Sequence, residues 1–323
     1  MIELGYALLS EEFSPAELIS FAQTAEAVGF DFAMISDHFH PWTESQPHSP
    51  FAWTVIGAIS QAIKRLRLGT GVTCPSMRYS PALIAQAAAT ASVMMPGRFI
   101  LGLGSGENLN EHITGLHWPA AAQRLDMLEE AIGAIRTLWR GGWQSHFGKY
   151  FAIERAKIST MPTRLPPIMV AAAKPRAARL AGRVADGLIC TAPKADLIKE
   201  FEKSGGKGKP RYGQITVCYA QSENEAASTV RKHWPNAGIG LPLMADLPLP
   251  NHFDNVIELM QPEKITEDVI LGPEPRKHID AIKQFVDAGF DHIYVHQAGP
   301  NQQDFFRFFA DKVLPSFTSS RAA

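Results

Sequence analysis

The sequence predicts an α/β protein built as a (β/α)8 TIM barrel with insertions, and three observations carry that prediction. Short apolar, β-branched runs alternate with amphipathic runs of helical period, and the alternation repeats eight times. The turn after the first strand reads Ser10, Glu11, Glu12, Phe13, so the glycine fingerprint that opens a doubly wound dinucleotide-binding sheet is missing. Chemically able side chains fall where strands give way to loops, the rim on which barrels carry their active sites.

Leu4, Tyr6, Leu8 and Leu9 mark a first strand over about residues 2–8, ending in that polar turn. Ser14 followed by Pro15 starts a helix. Its apolar residues Leu18, Ile19, Phe21, Ala22, Ala25 and Val28 keep helical spacing until Gly29 stops the run. Strands are expected over about 31–36, 66–73 and 99–103, separated by helices over 51–63 and 81–94. A long amphipathic helix covers about 120–138. The second half continues with strands at about 167–172, 187–191, 214–220 and 292–296, and helices at 176–182, 195–203, 224–234, 275–288 and 302–313. Two segments break the rhythm of what reads as a single domain over 1–323. One, about 143–165, opens with a hairpin around Gly148; the other, about 236–266, is Pro-rich and expected to be a partly ordered insertion near a binding face.

Composition narrows the function. With 46% hydrophobic and 20% charged residues and a formal net charge of −1 from well-mixed signs, the chain offers no basic block for nucleic acid or an anionic membrane. No run approaches about 18 apolar residues, and no basic start precedes an apolar segment and cleavage site, so a cytoplasmic protein acting on small molecules is expected. Cys74, Cys190 and Cys218 are odd in number and far apart, which argues against disulfides or a thiolate metal site; the latter two read as strand fillers. No metal is expected. His38 and His40 alternate along a loop, and His292 and His296 show no clear acidic partners on their face.

The most informative stretch is Ser36, Asp37, His38, Phe39, His40, Pro41, Trp42, directly after the second strand. It supplies a charge, a group titrating near neutrality and a flat apolar surface. The same residues also fit a bland reading in which Asp37 caps a helix, His38 is a satisfied loop histidine and Trp42 fills a gap. The other strand ends contribute Glu11, Gly71 and Val72, Glu107 and Asn110, Ala173 and Lys174, and Lys194. A histidine base and a separate carboxylic acid make a set able to take one proton and return another. The series Gly102, Gly104, Gly106 follows the fourth strand and leads to a carboxylate, so it does not read as a nicotinamide site.

Three ordered motifs now resemble a family. Ser36-Asp37-His38-Phe39 with Pro41 and Trp42, Leu68 to Val72 with Pro75, Arg78, Tyr79 and Pro81, and Gly104-Ser105-Gly106-Glu107 with Leu109, Asn110 and Glu111 are similar to the coenzyme F420-dependent, glucose-6-phosphate dehydrogenase-like enzymes of the luciferase-like superfamily. The resemblance extends through Ala181 to Arg183, Asp186, Gly187 and Cys190, and is weakest over about 200–265. It implies His38 as the base that takes a hydroxyl proton while hydride passes to the deazaflavin, Glu107 as the acid that protonates the reduced ring, and Trp42 as a catalytic and substrate-side residue. It implies that Asp37, Gly71, Val72, Gly106, Asn110, Ala173 and Lys174 bind the cofactor, that the Gly71–Val72 peptide is cis, and that Glu11, Trp42 and Lys194 meet the substrate. A homodimer is implied by the resemblance alone.

The departures are informative. Relatives acting on a sugar phosphate use three cations for the dianion; Lys194 matches the first, Pro248 to Asn251 holds no cation where the second falls, and the third falls near Asp268. The expected reaction is therefore hydride transfer to F420 from an alcohol or hemiacetal without phosphate, in a pocket shaped by Trp42, Leu247, Leu249 and Phe253. The alternatives are an F420-dependent sugar-phosphate dehydrogenase, an FMN-dependent luciferase-like monooxygenase, and a barrel that only binds the deazaflavin.

Overall fold

Strands β1 (Glu3–Leu8), β2 (Phe32–Ile35), β3 (Arg67–Thr70) and β4 (Phe99–Leu103) lie side by side in parallel, in the computed structural model that describes residues 2–318. An antiparallel hairpin, β5 (Gln144–Phe147) and β6 (Ala152–Ala156), stands apart from them. β7 (Ile168–Ala171), β8 (Gly187–Cys190), β9 (Arg211–Cys218) and β11 (His292–Gln297) continue the sheet, with the two-residue β10 (Ile270–Leu271) added beside β9. β11 pairs with β1 through Glu3↔His292, and β8 pairs with β9 through Leu188↔Arg211, so eight parallel strands close into the barrel that the alternation predicts.

The helices between them are α1 (Pro15–Val28), α2 (Ala52–Ala62), α3 (Pro81–Met94), the short α4 (Asn108–Glu111), α5 (Ala121–Leu138), α6 (Pro175–Val184), α7 (Ala195–Phe201) and α8 (Glu223–His233). Then follow α9 (Leu243–Asp246), α10 (Pro250–Glu258), α11 (Pro262–Thr266), α12 (Pro275–Asp287), α13 (Gln302–Phe308) and α14 (Pro315–Thr318). The reasons for the boundaries are local. The Ser14 hydroxyl and the Glu17 carboxylate form a reciprocal capping box over Pro15, and Gly29 ends α1 in the left-handed conformation.

Two cores follow from the period-two alternation of the strands. Ala33 and Ile35 face the helix layer with Leu68, Leu101 and Val170, whereas Phe32 and Met34 point inward with Ile100, Met169, Ile189, Tyr212 and Tyr294 to fill the barrel. Gly102 is required where β4 runs beside the end of β3, because a Cβ there would lie 1.9 Å from the Thr70 carbonyl oxygen.

The structure adjusts several element boundaries. β9 starts at Arg211, where the Asp291 carboxylate accepts both its backbone N–H and its guanidinium, earlier than the expected 214. The Pro-rich segment is more regular than expected: it forms α9, α10 and α11, the last two with proline in the first turn. Phe253 of α10 is fully buried and joins Trp42 and Leu109 in the cluster that continues the barrel interior, so this segment caps the mouth. The burial of one such ring is worth about 2–3 kcal/mol. No helix among the described residues is long and apolar enough to cross a membrane.

Candidate active site

β2 ends in buried Ile35, and the chain then turns across the barrel mouth, presenting the His38 imidazole with 10% of its side chain exposed. The Nδ1 of His38 lies 3.2 Å from the His40 carbonyl oxygen, which accepts only, so Nδ1 carries the proton and Nε2 faces the mouth. Two carboxylates meet that nitrogen: Glu11 Oε1 at 3.3 Å, from the loop after β1, and Glu107 Oε2 at 3.4 Å, from the loop after β4. A bare lone pair cannot satisfy two carboxylates. The arrangement therefore holds a proton among these three groups, on Nε2 or on one of the acids.

The surroundings distinguish the two acids. Glu11 is 1% exposed, and its other oxygen accepts the Ser36 hydroxyl at 2.5 Å and the Ser10 hydroxyl at 3.3 Å. Glu107 keeps 35% of its side chain open to the mouth. Desolvation nevertheless lifts its carboxyl above the ordinary value; the His38 charge opposes the lift, Glu11 adds to it, and Arg78 and the Asn110 amide oppose it. Asn110 joins the two loops. Its Nδ2 donates to Glu107 Oε2 at 3.1 Å, and its Oδ1 accepts the backbone N–H of Phe39 at 2.8 Å and of His40 at 3.3 Å. Trp42 tilts against His38 at 4.8 Å between ring centroids and takes the edge of Phe253 at 5.4 Å.

Asp37 belongs to a different network and caps no helix, contrary to the bland expectation for it. Its carboxylate accepts the Thr73 hydroxyl at 2.6 Å, the Tyr79 hydroxyl at 3.0 Å and the Arg78 guanidinium at 3.2 Å. Arg78 also donates its backbone N–H to Glu111 at 2.6 Å, and its Nε lies 3.7 Å from the same carboxyl group. Burial raises the Glu111 carboxyl to about 7 against the pull of Arg78. Arg78, Tyr79 and Glu111 were visible in the motifs, but nothing in the sequence assigned them a role.

The remaining predicted positions lie around the same rim. The Gly71–Val72 peptide is cis. Gly106 has φ +83°, and a Cβ on it would lie 2.8 Å from Cys74 Sγ, so only glycine fits just before Glu107. Ala173 and Lys174 are exposed immediately before α6, and Lys194 is exposed immediately before α7, with Asp268 also exposed. Leu247 packs on the mouth cluster, while Leu249 is 37% exposed.

Two histidines need correction. His292 and His296 do have acidic partners: His292 contacts Asp291 at 2.6 Å and Glu3 at 3.1 Å, and His296 contacts Glu12 at 3.0 Å. Asp291 is the sequence neighbour of His292, whereas Glu3 comes from β1 and Glu12 from the loop after it, which spacing along one strand cannot reveal. Among the described residues no group of three or more His, Cys, Asp or Glu is arranged to hold a metal ion. All three cysteines are buried, and burial pushes the Cys74 thiol up to about 12.

The profile of the luciferase-like monooxygenase family matches residues 1–292. The chain is 34% identical to an F420-dependent glucose-6-phosphate dehydrogenase of Microbacterium testaceum, with 97% of each chain covered. It is 33% identical to the enzyme of that name from Nakamurella multipartita, over 97% of this chain and 96% of the relative. Among solved structures, an F420-dependent secondary alcohol dehydrogenase in complex with an F420–acetone adduct matches with a TM-score of 0.90 at 30% identity, covering 97% of this chain and 98% of that one. The F420-dependent tetrahydromethanopterin reductase from Methanopyrus kandleri, at 20% identity and a TM-score of 0.79 over 98% of this chain and 99% of that one, shares the fold.

Proposed function

The chain belongs to the luciferase-like monooxygenase family, and from that membership we propose that it is an F420-dependent oxidoreductase acting on a hydroxyl-bearing carbon, with an unphosphorylated alcohol or hemiacetal as donor. The observation that carries this reading is the meeting of Glu11 and Glu107 on Nε2 of His38, beside Trp42.

The residues present fit a flat deazaflavin. Val72 and Ala171 stay partly open while packing on the apolar cluster that contains Trp42, Leu109 and Ile189. The backbone at Gly104 approaches Val72 so closely that a Cβ would lie 2.6 Å from its Cγ2, leaving a smooth wall with polar groups at its edge. F420, when bound, supplies a ring that accepts hydride. Asp37, Gly71, Val72, Gly106, Asn110, Ala173 and Lys174 would hold it. His38 takes the hydroxyl proton at Nε2, its orientation kept by the Nδ1–H bond to the His40 carbonyl, and Glu11 stabilises the imidazolium that forms. Glu107, held protonated to higher pH by desolvation, is the acid that would return a proton to the reduced ring. Trp42 and Phe253 exclude water from the substrate side, with Glu11 and Lys194 completing its lining.

Support for an unphosphorylated donor comes from charge. Lys194 is one exposed cation, Pro248 to Asn251 brings none, and Asp268 would repel a dianion. Titration with F420, followed by its fluorescence, and then turnover with secondary alcohols, hemiacetals and glucose 6-phosphate tests the reading. Tight binding with alcohol turnover is expected. Brisk turnover of glucose 6-phosphate overturns the substrate class, and indifference to F420 overturns the whole reading. We also read the protein as a cytoplasmic homodimer. Support for the dimer is the apolar groove between α2 and α3, lined by Trp53, Ile56, Leu83 and Met94, and sedimentation of the purified protein tests it.

A further inference from the structure

Glu12 follows Glu11 in the chain, takes no part in the chemistry above, and yet has only 5% of its side chain exposed. The two neighbours turn away from each other. Glu11 faces His38, whereas Glu12 reaches across the seam where the last barrel strand meets the first: its Oε1 lies 3.0 Å from Nε2 of His296, on β11, and its Oε2 accepts the Gly299 backbone N–H at 2.9 Å. His296 is itself 1% exposed, is packed edge-on against Trp234 at 4.5 Å, and has Nδ1 3.4 Å from the Thr216 hydroxyl. The turn that carries Gly299 is braced by Gln302, whose amide donates to the carbonyls of Gln297 and Gly299 at 2.8 and 2.6 Å.

A buried carboxylate bonded on both oxygens is stiff, and removing one partner leaves an uncompensated charge. The loop carrying Glu11 is therefore bolted to the end of β11 one residue away from the group that touches the base. We infer that Glu12 and His296 are positioning residues, which keep the Glu11 carboxylate against Nε2 of His38. The inference deepens the proposed function and rests on its reading of His38 as the base.

Two variants test it in the full-length protein. Glu12→Gln replaces the anion with an amide of the same shape, and His296→Phe keeps a ring against Trp234 but removes the donor. Either variant is expected to lower kcat about tenfold or more, since small displacements of a catalytic group have effects of that size. KM and F420 affinity should move little, and amide exchange over residues 9–13 of the cofactor-free protein should speed up. In a Glu11→Gln background the same change should alter kcat less than about twofold, because the two act on one chain of contacts. Equal losses in both backgrounds, unchanged kcat or unchanged exchange overturn the inference, and if one variant does not fold the other decides. A wild-type protein that reduces no F420, or a Glu11→Gln variant at full rate, refutes the catalytic reading instead, and exchange over 9–13 then still reports separately on the anchor.

Discussion

Nε2 of His38 and Oε2 of Glu107 lie 3.4 Å apart, although they arrive on loops after different strands. Parallel strands explain the meeting. β2 and β4 are separated only by β3, so their ends lie about two strand spacings apart, near 10 Å, and two side chains reaching inward across that gap touch. Asn110 locks the contact by bonding Glu107 on one side and the backbone of Phe39 and His40 on the other.

Desolvation holds the Glu107 carboxyl above its ordinary value, so the protonated form persists to higher pH and is lost as pH rises through the raised value. Glu107→Gln is expected to lower kcat by about 10²–10⁴-fold and to remove the alkaline limb that belongs to this acid. Asn110→Leu takes away a hydrogen bond to the ionised form, and that limb should then move to higher pH. A kcat–pH profile in which the limb moves the other way contradicts the assignment.

Arg78 is the cation shared by the buried carboxylates of Asp37 and Glu111. Arg78→Met leaves both without it and should cost about 3–5 kcal/mol, read as a lower urea midpoint. Arg78→Lys should recover little. The guanidinium bonds both the carbonyl and the carboxylate of Asp37 and covers the Tyr79 ring at 4.5 Å, which an ammonium cannot do together. Equal midpoints for the lysine variant and the wild type would refute this account.

The parts legible in sequence were those set by period and by punctuation. Eight apolar runs, Ser14 with Pro15, and Gly29 mark the barrel and the ends of α1, because alternation and capping act within a few residues. His38, Glu107 and Trp42 could be gathered at one rim because a closed parallel barrel sends the ends of its strands to the same face. The pairing of charges was not legible. Glu11 and Glu12 are identical neighbours, and only the closed seam between β1 and β11 decides that one meets His38 and the other His296. The helices of the Pro-rich segment were missed for a related reason: they are too short to be stable by propensity, and α10 depends on burying Phe253.

Gly106→Ala places a methyl group at φ +83°, 2.8 Å from Cys74 Sγ and 3.2 Å from Glu111 Cγ. The left-handed backbone alone costs about 1–2 kcal/mol, and the clash pushes on the residue just before Glu107. Both thermal stability and kcat should fall. Adding Cys74→Ala opens the space without relieving the backbone, so the double variant should regain part of the activity and little of the conformational cost. Complete recovery of stability in the double variant would show that space, and not φ, governs the position.

Glu111 makes the stability of the fold depend on pH in a defined direction. Its folded-state value of about 7 lies above the ordinary 4.5, so the folded protein binds this proton more tightly than the unfolded chain. The contribution is fully present below about 4.5 and is lost as pH rises through about 7, a change of at most on the order of 3 kcal/mol. Glu111→Gln keeps an acceptor for the Arg78 backbone N–H but cannot ionise. Urea midpoints measured from pH 4 to pH 8 should therefore decline less steeply for the variant than for the wild type, after the common trend of the other groups is subtracted. Parallel curves would mean that Glu111 is ionised throughout, neutralised by Arg78 more completely than its burial implies.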